Sequence, residues 1–278
     1  MNRRIFTLII SIALAVSSHA AGTNQTTAVS TNRPGLESCD ALAILAKVGG
    51  PGDTPQTAVV STNKSVWESS VAVGLTLTRG NSDTLLTTAA FRTRAKTPAN
   101  EFGFGLDGSY GESDSVKNNE SLHGVAQFNH LFGKRFYGYL NTEGMHDGIA
   151  DLQYRFTVGP GAGYYFVKET NTTFAVEAGP GLIVQRLGGV DTTYASLRLA
   201  ERSEHKLNDG ARVWERAEIL PQINKFENFL VNAEVGAEAA LTKTVSLRAV
   251  VQDNFVNQPA PGRKDNDMKL ISSLVYKF

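Results

Sequence analysis

The sequence contains a single cysteine, Cys39, so the chain cannot close an internal disulfide. Neither sign of charge is in excess, because 27 basic residues balance 27 acidic ones. Domains that bind duplex nucleic acid carry a basic stripe or patch. The composition therefore argues against a disulfide-stapled fold and against nucleic acid as a partner.

Long hydrophobic runs are also missing. The longest apolar run extends from Ile5 to Val16, which is shorter than the roughly 20 residues of a membrane-spanning helix. Two arginines precede this run, and Ser18 and Ala20 follow it at the spacing that a signal peptidase recognises. We therefore expect residues 1–20 to be a signal peptide whose removal leaves 25 basic and 27 acidic residues.

Residues 21–65 are rich in Thr, Ser, Asn, Gly and Pro and contain a near repeat, QTTAVSTN and QTAVVSTN. A segment of this composition buries too little apolar surface to order itself. We expect a disordered N-terminal extension, with room for one short helix in CDALAILAKV, residues 39–48. The pattern assigns no role to this extension or to Cys39.

From residue 66 onward, apolar and polar residues alternate. In VWESSVAVGLTLT, Trp67, Val71 and Val73 fall on one face of an extended strand, and Glu68 falls on the other. No convincing helix period interrupts this pattern. It predicts an all-β fold of about twelve strands, near 66–78, 84–95, 101–110, 119–132, 136–145, 151–166, 173–187, 194–206, 211–220, 228–240, 245–256 and 267–278.

The predicted strands are long, commonly 10 to 16 residues. Soluble strands have about 5 or 6 residues, whereas a tilted strand that crosses a bilayer needs about 9 to 11. The connections alternate between tight turns, such as LFGKR and LNDGA, and longer segments, such as GESDSVKNN and NQPAPGRKD. Outer-membrane barrels have short periplasmic turns and longer outer loops. We therefore predict an antiparallel up-and-down transmembrane β-barrel with both strand termini in the periplasm.

The polar faces of these strands carry charges of both signs. Such charges are suited to a lumen that is filled with water or crossed by a network of ion pairs. A soluble periplasmic β-sandwich or a lipocalin-like binding barrel would show the same alternation, but neither needs aromatic residues near its strand ends. Here Trp67, Phe132 and Phe166 lie near the ends of the apolar faces, as membrane-interface girdles do. The candidate lumen charges, which would set any ion selectivity, are Arg92, Arg94, Asp107, Glu143, Arg155, Glu177, Arg202, Arg216, Glu218, Glu234, Glu238 and Arg248.

The chain finishes on SSLVYKF, in which Leu274, Tyr276 and Phe278 share one strand face. This ending is similar to the C-terminal signature by which bacterial outer-membrane barrels are recognised for assembly. We expect Phe278 to close the last strand against the first and to engage the barrel-assembly machinery. The expected partners are that machinery and outer-membrane lipid, and the expected location is the bacterial outer membrane.

Three segments also resemble a known family. WESSVAVGLTLTRGNSDT, SLRLAERSEHKL and LVYKF look like the salt-induced outer-membrane proteins, domain-of-unknown-function family 481. The resemblance covers roughly Trp67 to Phe278 and leaves out the Thr- and Asn-rich extension. It implies an outer-membrane barrel and implies no known substrate.

An outer-membrane lipid-modifying enzyme is the alternative class, and it would need a Ser, a His and a third group within hydrogen-bond reach. Ser203 and His205 share a strand face with Glu201, but we expect them at the periplasmic rim. HDGIAD, residues 146–151, has metal-ligand residue types, and an exposed loop explains it equally well. We predict no catalytic, metal or cofactor site, and a lumen that is either a narrow channel for small solutes or a plugged structural barrel.

Two copies of Gly-Pro-Gly permit a register prediction. A hairpin centred on Thr170 makes the numbers of facing positions sum to 340. This register places Phe166 opposite Phe174 and Pro160 opposite Pro180, with the glycines facing each other on the lumen side. Because proline cannot donate a hydrogen bond to the ladder, facing prolines predict a bend or bulge at that level.

Overall fold

The computed structural model describes residues 66–78 and 84–278, and the predicted signal peptide, extension and short helix lie outside them. The described chain forms a closed barrel in which each strand pairs with its sequence neighbours and β1 pairs with β12. This confirms the predicted fold class. The strands are β1 (Val66–Thr78), β2 (Thr84–Lys96), β3 (Asn100–Ser113), β4 (Val116–Leu131), β5 (Phe136–Asp147), β6 (Leu152–Lys168), β7 (Thr172–Leu187), β8 (Val190–Asn208), β9 (Ala211–Gln222), β10 (Lys225–Ala240), β11 (Val245–Val256) and β12 (Asn266–Lys277).

The last strand closes the barrel against the first. Val73 faces Leu274 in the β1–β12 register. Beyond this register, the backbones of Ser69 and Phe278 exchange two hydrogen bonds of 3.1 and 3.3 Å. The rings of Tyr276 and Phe278 stack with centroids 6.2 Å apart. Phe278 therefore occupies the closing position that the sequence predicted, while its role as an assembly signal stays a prediction.

The connections differ from the predicted loop asymmetry. GESDSVKNN, which was expected to be a longer outer loop, contains only the two-residue turn 114–115, and the connection between β7 and β8 is only 188–189. All four of these turn residues have a positive φ between 51° and 75°. Such turns are type I′, the kind that matches the twist of a hairpin. The flanking strands extend through these polar segments because pairing satisfies their backbone hydrogen bonds. Among the described connections at this end, only 257–265 is long.

The two ends of the barrel are distinguished by these connections. The end that carries the 114–115, 188–189 and 257–265 connections is called the distal end below. The opposite end, where β1 begins and β12 ends, is called the proximal end.

The β6–β7 hairpin has the predicted register over most of its length. Facing positions sum to 340 from Tyr154 to Val158 and again from Ala162 to Tyr165. The register then shifts by one residue, so that Val167 rather than Phe166 faces Phe174, and the prediction was wrong there. Register shifts lie next to Phe166 and near the start of β6, whereas at the prolines the pairing is interrupted over residues 159–161 but has the same register on both sides.

The facing Gly-Pro-Gly segments bring two strands into close contact. A Cβ atom on Gly179 would lie 2.7 Å from Cα of Gly161 and would collide with the carbonyl oxygen of Pro160. A Cβ atom on Gly159 would lie 2.9 Å from the carbonyl oxygen of Pro180. The close approach of the two backbones therefore requires glycine.

The outer surface of the barrel is largely apolar. Phe156 is 60% exposed and Leu270 is 67% exposed, and many other large apolar side chains also point outward. At the start of β6 the alternation of apolar outward and polar inward residues breaks, because a register irregularity turns Leu152 inward and leaves Gln153 exposed. No helix in the described part of the chain is long and apolar enough to cross a membrane. An apolar exterior on a closed sheet is the arrangement of a membrane barrel.

Side chains fill one side of the interior. Near the proximal end, Tyr137, Tyr139 and Tyr165 pack with Ala175. Their rings lie over interior glycines, since a Cβ atom on Gly161 or Gly163 would collide with Tyr139 or Tyr137. Near the distal end, a second buried cluster consists of Ile183, Leu220 and Leu230, packed against Tyr194 and Val256.

Candidate functional site

The pairing registers place all twelve predicted lumen charges on the interior face of the wall. In the strand registers Glu238, for example, lies opposite Arg248 on β11, and Glu234 lies opposite Arg216 on β9. Because side chains alternate along a strand, one interior residue fixes the phase of its neighbours. The interior is thus a charged surface, and the role of these residues in selectivity stays a prediction.

Glu238 is the centre of a cluster at the proximal end. Its side chain is 1% exposed and forms ion pairs with Lys277 at 2.6 Å, Arg248 at 2.8 Å and Arg212 at 3.1 Å. The guanidiniums of Arg212 and Arg248 also lie over the ring of Trp214. A buried carboxylate is stable only when it is paired, and here three strands supply the cations.

Glu177 is the centre of a second cluster on the other side of the lumen. Arg198 donates to it at 2.8 Å, and the hydroxyl of Tyr137 donates at 2.8 Å. Gln127 donates at 2.7 Å, and Arg202 lies 3.6 Å away. This network ties β4, β5, β7 and β8 together through the interior.

Several ion pairs cross the lumen. Arg94 on β2 reaches Glu204 on β8, the strand diametrically opposite in the barrel, at 3.5 Å. Arg92 on β2 lies 3.7 Å from Glu234 on β10. An interior that arginine side chains can bridge is narrow at these levels.

The distal end is closed by different contacts. Lys269 on β12 donates to Ser121 on β4 at 3.0 Å and lies 3.5 Å from Asp147 on β5. The 257–265 connection folds inward there, because Ala260 is 4% exposed and packs against the turn at Gly188. The lumen is therefore bridged and covered at its distal end.

A cavity of about 820 Å³ lies between these contacts and the proximal mouth. Its lining reaches residues of the β8–β9 turn, including Asp209, and Phe278 at the proximal end. On the distal side it extends to Ser121 and Lys269. Residues of the described distal turns do not line it, so the cavity is continuous with the proximal mouth and ends at the Lys269 bridge.

Sequence reasoning missed several interior residues. Arg198, Glu204 and Glu101 belong to the charged network but were not singled out, although the alternation that placed Arg202 inside also places Arg198 and Glu204 there. The interior tyrosines were also not singled out, although the alternation that placed Glu143 inside also places Tyr137 and Tyr139 there.

The candidate enzyme residues do not form a catalytic arrangement. Ser203 and His205 point away from the lumen, and His205 Nδ1 is hydrogen-bonded to Thr172 Oγ1 at 2.7 Å. No hydrogen bond joins Ser203 to His205 among residues 66–78 and 84–278. In the HDGIAD segment, Asp147 Oδ1 accepts two backbone N–H bonds of its own turn, and the described residues contain no cluster suited to a metal ion.

A closed antiparallel sheet with an apolar exterior and a charged interior defines a β-barrel of the outer-membrane type. The chain belongs to the protein family of unknown function DUF481, whose family profile matches residues 71–278. This match confirms the family that the sequence resembles and leaves the salt-induced description untested. The chain has no significant match among curated proteins.

Solved structures with a similar fold include a porin, an autotransporter translocator domain and an outer membrane channel. The NanC porin is 5% identical with a TM-score of 0.45, over 76% of this chain and 98% of the porin. The translocator domain of autotransporter NalP from Neisseria meningitidis is 15% identical with a TM-score of 0.40, over 77% and 87%. An outer membrane channel from Pseudomonas putida F1 is 11% identical with a TM-score of 0.45, over 76% and 95%. Since every TM-score is below 0.5, no argument about function rests on these similarities.

Proposed function

We propose that this protein is a narrow channel for small polar solutes in the bacterial outer membrane, with its proximal end in the periplasm. The observation that carries the proposal is the charged cavity of about 820 Å³, which is continuous with the proximal mouth and stops at the Lys269 bridge. A barrel that served only as a plugged support would have no need for a cavity of this size.

The width of the passage is set by side chains rather than by the backbone. Arg94 and Arg92 reach across to acids on β8 and β10, so only small solutes fit between them. Fixed charges of both signs favour polar over apolar solutes, because they replace part of the hydration shell that a polar solute loses. We therefore propose a channel and not an enzyme, in line with the outward position of Ser203 and His205.

The contacts of Lys269 make the proposal testable. In the Lys269→Ser variant the bridge to Ser121 and Asp147 is lost, so one of the contacts that obstruct the distal end is removed. We expect the purified wild-type barrel to conduct ions in a planar bilayer, and the variant to have a larger single-channel conductance.

Lys243→Ser is the matched control, because Lys243 lies in an exposed proximal turn and its loss changes the net charge by the same amount. We expect this variant to conduct like the wild type. If neither the wild type nor Lys269→Ser conducts, although both are folded and inserted, the lumen is a plug and the channel proposal is wrong.

A further inference from the structure

Arg216 differs from the other charged residues of the lumen. It lies on the interior face of β9 between Arg202 on β8 and Glu234 on β10. Its side chain is exposed to the cavity that it lines. Among the described residues, Arg216 makes no ion pair and no side-chain hydrogen bond. A guanidinium with five donors therefore projects into the cavity without a protein partner.

The acids near Arg216 are already occupied. Glu234 accepts hydrogen bonds from Trp214 Nε1 at 2.7 Å and from Gln252 at 3.1 Å. Glu204 lies 3.5 Å from Arg94 and 3.4 Å from Arg212. Neither carboxylate is free to turn toward Arg216 without losing these contacts.

Two acids and two cations act on Arg216, namely Glu234 on β10 and Glu204 on β8, and Arg92 on β2 and Arg202 on β8. With Arg216 itself, three guanidiniums face two carboxylates at this level. Arg92 itself has a buried Nε–H with no hydrogen-bond partner among the described residues. A buried donor without a partner is costly. This level of the cavity therefore has hydrogen-bond donors and positive charge that an anion could bind.

We propose that Arg216 and Arg92 form a binding site for an oxyanion, that is, for the carboxylate or phosphate group of a small solute. A planar guanidinium binds such groups through two parallel N–H bonds to two oxygen atoms, whereas a chloride ion offers only one acceptor atom. This site rests on the proposed function and adds the class of solute that enters the cavity. Binding at the site does not require that the barrel conduct, so the binding proposal and the channel proposal can fail separately.

The fluorescence of Trp214 reports directly on binding at this site. Trp214 is two residues from Arg216 on the same face of β9, and its indole N–H donates to Glu234, which lies beside Arg92. An oxyanion that draws Arg92 or Arg216 toward itself changes the charge around this indole. Trp67 is the other tryptophan and lies on the outer surface, so the measurement uses a Trp67→Phe background.

The experiment is a fluorescence titration of the detergent-solubilised full chain with potassium phosphate and with potassium acetate, against potassium chloride at matched ionic strength. We expect saturable changes with the oxyanions and none with chloride. Arg216→Gln is expected to weaken binding about tenfold or more, since a charge-assisted hydrogen bond is lost. Arg216→Lys keeps the charge but not the planar pair of N–H donors, and we expect its affinity to lie between those of the parent and Arg216→Gln.

Arg186→Gln is the control, because it removes the same charge from an exposed pair with Asp191 outside the cavity. We expect it to bind like the parent, and circular dichroism checks that every variant is folded. A response to phosphate alone identifies a phosphorylated solute, and a response to both anions shows that a carboxylate suffices. Oxyanion binding that is equal in the parent, Arg216→Gln and Arg216→Lys would overturn the proposal, as would the absence of any response in the parent.

Discussion

At the scale of single residues, the interior is stable because most of its charges are paired. Glu238 shows this best, since it forms ion pairs with three cations on β9, β11 and β12 while its side chain is 1% exposed. Removing one member of a buried ion pair leaves the others desolvated and uncompensated. Glu238 is therefore the residue at which a loss of charge should cost the most stability.

We expect Glu238→Gln to lower the free energy of unfolding by about 3 kcal/mol. The amide keeps the size of the side chain but cannot balance Arg212, Arg248 and Lys277. Urea unfolding of the barrel in lipid vesicles, followed by tryptophan fluorescence, measures the change.

Glu68→Gln is the comparison variant. Glu68 pairs with Arg94 at the proximal mouth, where the two side chains are 56% and 34% exposed. Exposed pairs contribute only about 0 to 1 kcal/mol, so this variant should be close to the wild type. Equal losses in the two variants would contradict the distinction drawn between interior and mouth.

At the scale of elements, the β6–β7 hairpin depends on the two Gly-Pro-Gly segments. Gly179 faces Gly161 so closely that neither strand has room for a side chain at this level. The prolines face outward and supply no N–H to the ladder. Glycine is thus required by the contact between two backbones, since neither residue has a positive φ.

We expect Gly179→Ala to destabilise the barrel by about 1 to 3 kcal/mol, because the added methyl group would collide with Pro160 and Gly161. Gly103→Ala is the matched control, since no atom lies within 4 Å of the Cβ position of Gly103. The difference between the two unfolding free energies is the measurement. If both substitutions are tolerated equally, the close approach of β6 and β7 is incorrect.

The same hairpin shows what a pattern can and cannot predict. The register was correct where glycine, proline and apolar residues alternate, because only one phase puts the apolar residues outside. The register prediction failed at YYFV, residues 164–167. All four residues there are apolar, so the pattern does not show which of them face lipid. The prediction of the hairpin-turn lengths failed for a related reason, because polar strand ends and polar loops have the same composition.

At the scale of the whole molecule, strand number, closure and the interior position of the predicted charges follow from the sequence alone. The contacts across the lumen do not. Arg94 and Glu204 are 110 positions apart, and they meet only because the tilt and stagger of the strands bring them to one level. The closing of the distal end by Lys269 is equally invisible in a strand-by-strand pattern, since its partners lie on β4 and β5.

The central claim is that alternate residues of each strand face lipid and lumen. Spin labels on single cysteines at 270–274, in a Cys39→Ser chain inserted into vesicles, test it most directly. We predict that accessibility to oxygen peaks at 270, 272 and 274, whereas accessibility to a water-soluble paramagnetic reagent peaks at 271 and 273. Equal access of the water-soluble reagent to all five positions, or the opposite alternation, would contradict the account.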